Sequence, residues 1–325
     1  MTEEIYDYQD ISQSFNNYLL FGNGLSISIN QNFSYQTLLA ECQSLEDENH
    51  ERVLSDDDLN FFEQFETIDF ERVLYALNTS KIVNNIVGLE TGEIEKRYEN
   101  IKNALVKVVR KVHPSWDEFE DSKFLFLNEY LQKFQGIFTT NYDLILYWSL
   151  MRNIEPFIDF FFQGEFDTTN VDNWSRRIPF YFLHGSLHLF REKGVTKKLR
   201  ANGLSILDRF DQTMVRGRTP LFVSEGTYTQ KLQSITTNDY LNFCFYQLKG
   251  IEKNITIFGH SLSENDKHIA DAINNNPNVT EVAFGIYVGN APNEKHINYE
   301  CARINKLFGE KKVYFFNSET LWNLK

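Results

Sequence analysis

Short apolar runs recur along the chain, each ending abruptly in small or polar residues. Tyr18 to Phe21 runs into Gly22-Asn23-Gly24, and Gly136 to Phe138 into Thr139-Thr140-Asn141. Phe180 to Leu183 runs into His184-Gly185-Ser186, Leu221 to Val223 into Ser224-Glu225-Gly226, and Ile255 to Phe258 into Gly259-His260-Ser261. Val282 to Val288 and Val313 to Phe316 read as two further strands. Runs this short, rich in Ile, Val, Phe and Tyr and without polar alternation, predict strands buried on both faces. Helical patterns lie between several of them: Asp143 to Met151, Thr237 to Leu248, and Lys267 to Ile273.

Strands alternating with helices predict an α/β fold, a Rossmann-like doubly wound and mostly parallel sheet. Residues 35–134 break the alternation. They are polar, acidic and helical in rhythm, with Phe70, Val73, Leu74 and Leu77 at i, i+3, i+4, i+7 and a second apolar stripe at Ile101, Leu105 and Val108. The expected organisation is a Rossmann-like unit from 1–34 and 135–325, interrupted by a helical insertion at 35–134. A second insertion, Glu192 to Arg218, carries Lys197, Lys198 and Arg200 and is expected at the surface.

Composition narrows the function classes. The 325 residues are 42% hydrophobic, enough for a sizeable core, and the net charge of −13 disfavours direct nucleic-acid binding. Lys107, Arg110 and Lys111 form at most a local basic patch, and no carboxylate cluster suggests a nuclease. Three scattered cysteines, Cys42, Cys244 and Cys301, give neither a disulfide framework nor a Cys-x-x-Cys zinc site. The acidic start lacks a signal core and no apolar run is long enough to cross a bilayer, so a cytoplasmic protein is expected. Asp56-Asp57-Asp58 and Glu63 read as a solvated face, or as a docking surface for a partner.

The candidate chemistry sits at the strand ends, where open α/β sheets bind ligands. Gly22-Asn23-Gly24-Leu25-Ser26 would let the backbone approach a pyrophosphate, although an ordinary tight turn uses the same residues. In Thr139-Thr140-Asn141-Tyr142-Asp143, Asn141 is a candidate for holding a ribose hydroxyl or a water and Asp143 for a carboxamide. The same residue types suit a helix N-cap. His184, at the end of an apolar strand, suits proton transfer near neutral pH, or a buried structural role. His188 is a decoy four residues on, and His50, His113, His268 and His296 sit in polar stretches expected to be exposed. Ser263 to Asp266 has the form of a capping box, beside candidate ribose or adenine contacts from Gly259 and Ser261. Ser224, Glu225 and Gly226 are candidates for the same cleft.

Taken in order, Gly22-Asn23-Gly24-Leu25-Ser26, Thr139-Thr140-Asn141-Tyr142-Asp143, Leu183-His184-Gly185-Ser186 and Gly259-His260-Ser261-Leu262 resemble the sirtuin-like superfamily. The likeness is greatest to bacterial sirtuin-like proteins, many of them antiviral NAD hydrolases. The resemblance implies that Asn141 and His184 are the catalytic pair. It implies that Gly22, Asn23, Gly24 and Ser26 hold the phosphates of NAD, with Thr140 beside them and Asp143 near the nicotinamide carboxamide. Gly259, Ser261 and Leu262 would contact the adenosine half. Protein-deacylating sirtuins carry a Gly-Ile-Pro-Asp-Phe-Arg segment and a four-cysteine zinc module. Here Phe33-Ser34-Tyr35 stands near the first and the second is missing, so water is the expected acceptor, NAD the substrate, and no metal is required. Relatives assemble with sensor proteins, nucleic-acid-guided proteins or ring-forming DNA-translocating ATPases, which implies a homo-oligomer or such a partner. A non-hydrolysing NAD or ADP-ribose sensor, or a scaffold subunit, is the competing expectation.

Overall fold

The computed structural model describes residues 3–47, 50–114, 121–174, 176–200, 206, 219–223, 228–289 and 291–323. Among these, the strands are β1 (Ile5–Tyr6), β2 (Tyr18–Phe21), β3 (Gly136–Thr139), β4 (Phe157–Ile158), β5 (Phe161–Phe162), β6 (Glu165–Phe166), β7 (Ile178–Phe182), β8 (Gly185–Glu192), β9 (Val195–Lys198), β10 (Thr219–Phe222), β11 (Ile255–Phe258), β12 (Glu281–Ile286) and β13 (Lys312–Asn317). The helices are α1 (Tyr8–Ile11), α2 (Asn23–Ile29), α3 (Tyr35–Ser44), α4 (Asp56–Gln64), α5 (Phe70–Val87), α6 (Gly92–Val112), α7 (Asp121–Leu131), α8 (Ile145–Arg152), α9 (Tyr228–Thr236), α10 (Asp239–Lys249), α11 (Lys267–Asn274) and α12 (Glu294–Phe308).

Eight strands form one sheet in the order β1-β13-β12-β11-β2-β3-β7-β4, and every neighbouring pair is parallel. The apolar runs are buried as expected of strands covered on both faces: Leu19, Leu20, Phe21, Ile137, Phe138, Ile255 and Ile257 lie in the core. From β2 the chain steps outward to β3 and β7. It later returns to β11, on the other side of β2, and steps outward through β12 and β13. This is the Rossmann-like pattern, with the reversal of strand order between β2 and β11.

One predicted strand lies elsewhere. Thr219–Phe222 does not join the parallel sheet but pairs antiparallel with β8, in a second sheet of order β10-β8-β9-β6-β5. The cause is the corner after β7: Gly185 has φ +81°, and the chain turns through His184 straight into β8 rather than into a helix. The basic stretch expected at the surface is also partly structural. Lys197 and Lys198 lie in β9, paired with Glu165 and Glu192 and with Asp159, and Leu199 is buried.

Helices α3 to α7 occupy the chain between β2 and β3. Asp69 caps α5 by accepting from the amides of Glu71 and Arg72, and the face Phe70, Val73, Leu74 and Leu77 is buried. In α6, Ile101, Leu105 and Val108 are buried as their spacing predicts. The acidic run at Asp56 opens α4: Ser55 and Asp58 form a capping box, Asp58 is buried, and Arg97 bonds Asp57 and Asp58. None of the helices described is long and apolar enough to cross a membrane.

Candidate active site

At the switch in strand order the turns after β2 and β11 touch. The amide of Gly22 donates to the Phe258 carbonyl (3.0 Å) and that of Gly24 to the Gly259 carbonyl (2.8 Å). A Cβ on Gly22 would lie 2.6 Å from the Gly259 oxygen, one on Gly24 2.6 Å from the Gly259 Cα, and one on Gly259, itself at φ +64°, 2.7 Å from the Leu25 amide. The glycines are thus explained by backbone meeting backbone. Two of the amides expected to face phosphate are used on the end of β11 and the turn after it instead.

Cavities lie on either side of this contact. The first, about 260 Å³, takes Asn23 from the β2 turn, Thr140, Asn141, Tyr142 and Asp143 from beyond β3, and His184 from beyond β7. Gly259, His260, Ser261, Ser263 and Asp266 close it from β11, and Val223 from the second sheet. The helical stretch adds Tyr35, Asp69 and Glu71. The second, about 660 Å³, shares Gly259, His260 and Ser261 and adds Gly24, Ile27, Ser28, Gln31, Phe258, residues 284–287, His296, Glu300, Ser318, Glu319 and Trp322.

Asn141 and His184, from different strands, therefore line one cavity. Ser26 Oγ donates to Asp143 Oδ2 (2.6 Å), and Asn141 Nδ2 donates to Ser26 Oγ (2.9 Å). Asp143 also accepts from the Ile145 amide (2.9 Å), so it caps the start of α8 as well. Asn141 Oδ1 is buried with no partner among the described residues. A buried acceptor left open is costly unless a ligand uses it. Burial pushes the Asp143 carboxyl up to about 6, against the pull of the Ser26 hydroxyl.

Other candidates play supporting parts. Ser26 is fully buried and lines neither cavity; it locks Asn141 to Asp143. Gly22 lines neither cavity. Thr140 faces the first, its amide held by the Phe21 carbonyl (3.1 Å). Asn23 Nδ2 reaches the Phe33 carbonyl (3.2 Å) and so ties the turn to the next segment. Leu262, at φ +47°, is a buried anchor whose amide donates to His260 Nδ1 (2.9 Å). Arg303 donates to the carbonyls of Ser261 and Leu262, holding that loop over α12. His188 is buried against Tyr147 and bonded to Ser186, away from the cavity. Ser224, Glu225 and Gly226 lie outside the described residues.

The histidine assignments need two corrections. His113 and His268, expected to be exposed, are both buried, and His268 Nε2 lies 3.0 Å from His184 Nε2. The capping box at Ser263 does not form: its side chain makes no backbone cap bond, and Asp266 turns inward to Lys231. Lys231, 1% exposed, holds Asp266 Oδ1 and Glu71 Oε2, each at 3.0 Å. Burial alone would raise Asp266, but Lys231 and the neighbouring imidazoles outweigh it and hold the carboxyl low. Burial raises Glu71 despite Lys231. Burial likewise keeps His184 well below its ordinary value and brings His268 to about 4, so both rings are neutral at pH 7. His184, Asp266 and His268 each bring one donor atom within 4.8 Å of the others. The ammonium of Lys231 already supplies positive charge there.

The profile of a family described as a domain of unknown function (DUF4917) matches residues 19–322. The chain belongs to the DUF4917 family. The match takes in every residue that lines the two cavities. No curated protein matches the chain. Within this DUF4917 chain the strand ends declared Asn141, Asp143 and His184, whereas Tyr35, Asp69, Glu71, Lys231 and the inward face of Asp266 went unseen. His268 was open to detection: with Ile269, Ala272 and Ile273 it shares the buried face of α11.

Proposed function

We propose that the chain hydrolyses NAD⁺ at the nicotinamide–ribose bond, giving nicotinamide and ADP-ribose. The observation that carries this reading is the convergence of Asn141 and His184 on one cavity at the carboxyl edge of a Rossmann-like sheet. The chemistry of the wall agrees. Asp69, Glu71, Asp143 and Asp266 line it, and no Lys or Arg is among its described lining residues. Lys231 behind the wall offsets Glu71 and Asp266 in part, and the acidic groups that remain, Asp69 and Asp143, favour a cationic group, here the pyridinium of NAD⁺ and the oxocarbenium-like transition state that follows its loss. The second cavity, across the Gly24–Gly259 contact, has room for the rest of a dinucleotide.

Asn141, fixed through Ser26, offers Oδ1 to a ribose hydroxyl or to the attacking water. His184 is neutral at pH 7 and accepts the proton of that hydroxyl or water. Because the leaving group is already cationic, little acid catalysis is needed.

The test is incubation of the purified chain with NAD⁺, with nicotinamide and ADP-ribose separated by chromatography. Asn141→Ala and His184→Ala are each expected to lower kcat by about 10³-fold with folding retained. Wild-type turnover that survives in His184→Ala defeats the assignment. Binding of NAD⁺ without product points instead to a sensor.

A further inference from the structure

The two buried imidazoles at 3.0 Å pose a question that the proposed hydrolysis leaves open: what a second histidine does behind the first. A contact between His184 Nε2 and His268 Nε2 at this distance is a hydrogen bond, with the proton on one ring and the lone pair on the other. Each neutral imidazole carries a single N–H. The choice made at this bond therefore decides whether the remaining nitrogen of His184, Nδ1, is a donor or a bare acceptor. His268 Nδ1 is buried and has no hydrogen-bond partner among the described residues. Among the described residues no other group fixes its tautomer, so the two rings set each other's.

From this geometry we infer that His268 is the positioning residue of the site, acting with His184 as a single base. The inference rests on the hydrolase reading. In the productive arrangement His184 donates Nε2–H to His268 Nε2, which leaves Nδ1 of His184 free for the ribose hydroxyl or water. As that O–H bond breaks, the proton joins His184 Nδ1 and its electron pair stays on oxygen. The Nε2 proton then passes to His268 Nε2, and the positive charge moves one ring deeper. The charged and titratable groups facing the pair are Asp266, Lys231, His260 and Asp271, with Glu71 behind Lys231. Burial above all keeps the pair neutral at rest, with Lys231 and His260 adding to it, while Asp266 stabilises the transferred charge, so the pair gains the proton only transiently.

The experiment compares His268→Gln, which keeps a hydrogen-bonding group near Nε2 but takes no proton, with His268→Phe, which keeps neither. With NAD⁺ as substrate, His268→Gln is expected to lower kcat by about 100-fold, to leave KM within about twofold, and to shift the pH dependence of kcat. His268→Phe is expected to fall further. Unchanged kcat in His268→Gln overturns the inference, and so does a loss that appears equally in KM or in the melting temperature. A second arm needs no turnover: side-chain ¹⁵N spectra of the histidines at pH 7 report the tautomer of His184 directly. A His184 signal that changes in His268→Gln supports the pair even if wild type releases no nicotinamide, in which case the hydrolase reading alone fails. An unchanged signal overturns the pair. Stoichiometric transition metal in the purified protein, lost in His268→Gln, also overturns it, because a metal would take both Nε2 lone pairs.

Discussion

The two cavities that flank the Gly24–Gly259 contact are unlike in a way that divides labour. The smaller is walled by Asp69, Glu71, Asp143, Asp266, His184 and Asn141, and its polar groups are knitted to one another and to Lys231. The larger offers Phe258, Phe284, Tyr287 and Trp322, with Glu300 and Glu319 also in its wall. One side holds fixed charge, which is costly to bury and is kept for what it can do. The other holds surface, which is cheap to bury and discriminates by shape. A shared turn between them makes the position of one wall depend on the other.

The most severe way to break that arrangement is at the contact itself. Gly259→Ala places a methyl 2.7 Å from the Leu25 amide at φ +64°. A loss of about 5 kcal/mol in denaturant unfolding is expected, enough to unfold a marginal chain. Next comes the charge on the smaller side. Lys231→Met leaves Glu71 and Asp266 facing each other without a counter-ion and should cost ~3–5 kcal/mol. Adding Glu71→Gln should restore part of it.

The third concerns pH. Asp143 is held at about 6 from an ordinary 3.8, so the folded chain binds its proton more tightly than the unfolded chain does. Its contribution is full below pH about 4 and is lost as pH rises through about 6, ~3 kcal/mol in all at about 1.4 kcal/mol per unit. Asp143→Asn should therefore gain that much on wild type between pH 4 and 7 in denaturant midpoints; a constant difference would contradict it. The gentlest change sharpens the other side. Tyr287, 71% exposed, stands at the mouth of the larger cavity. On the proposed hydrolase reading, Tyr287→Ala should raise KM for NAD⁺ by about fivefold, roughly 1 kcal/mol, while kcat and the melt stay put.

What the sequence revealed follows the same division. Buried strands announce themselves by apolar runs, and their ends by glycine and small polar residues, so β2, β3, β7, β11, β12 and β13 were legible. So was the placement of Asn141, Asp143 and His184 at strand ends, where they line one cavity. The second sheet was not. Its hairpins turn on Gln163-Gly164 and Lys193-Gly194, both residues of each pair at positive φ, where Asn-Gly or Asp-Gly would have been the readable signal. Glu71 and Lys231 were hidden because they lie 160 positions apart, and an ion pair at that separation leaves no local pattern. Asp266 was masked by a plausible local role, a cap, that the tertiary charge of Lys231 overrode.

The pairing of β2 with β11 bears on how the protein comes into being. Tyr18 sits opposite Ile255, with most of the chain between them. Closing so long a loop is slow, and on a ribosome the partner strand has not yet been made when β2 emerges. The turn bearing Asn23 and the turn bearing His260 can meet only after the long stretch of chain between them has been made. A nascent chain that has not yet reached β11 thus lacks the wall that Gly259, His260 and Ser261 give to both cavities.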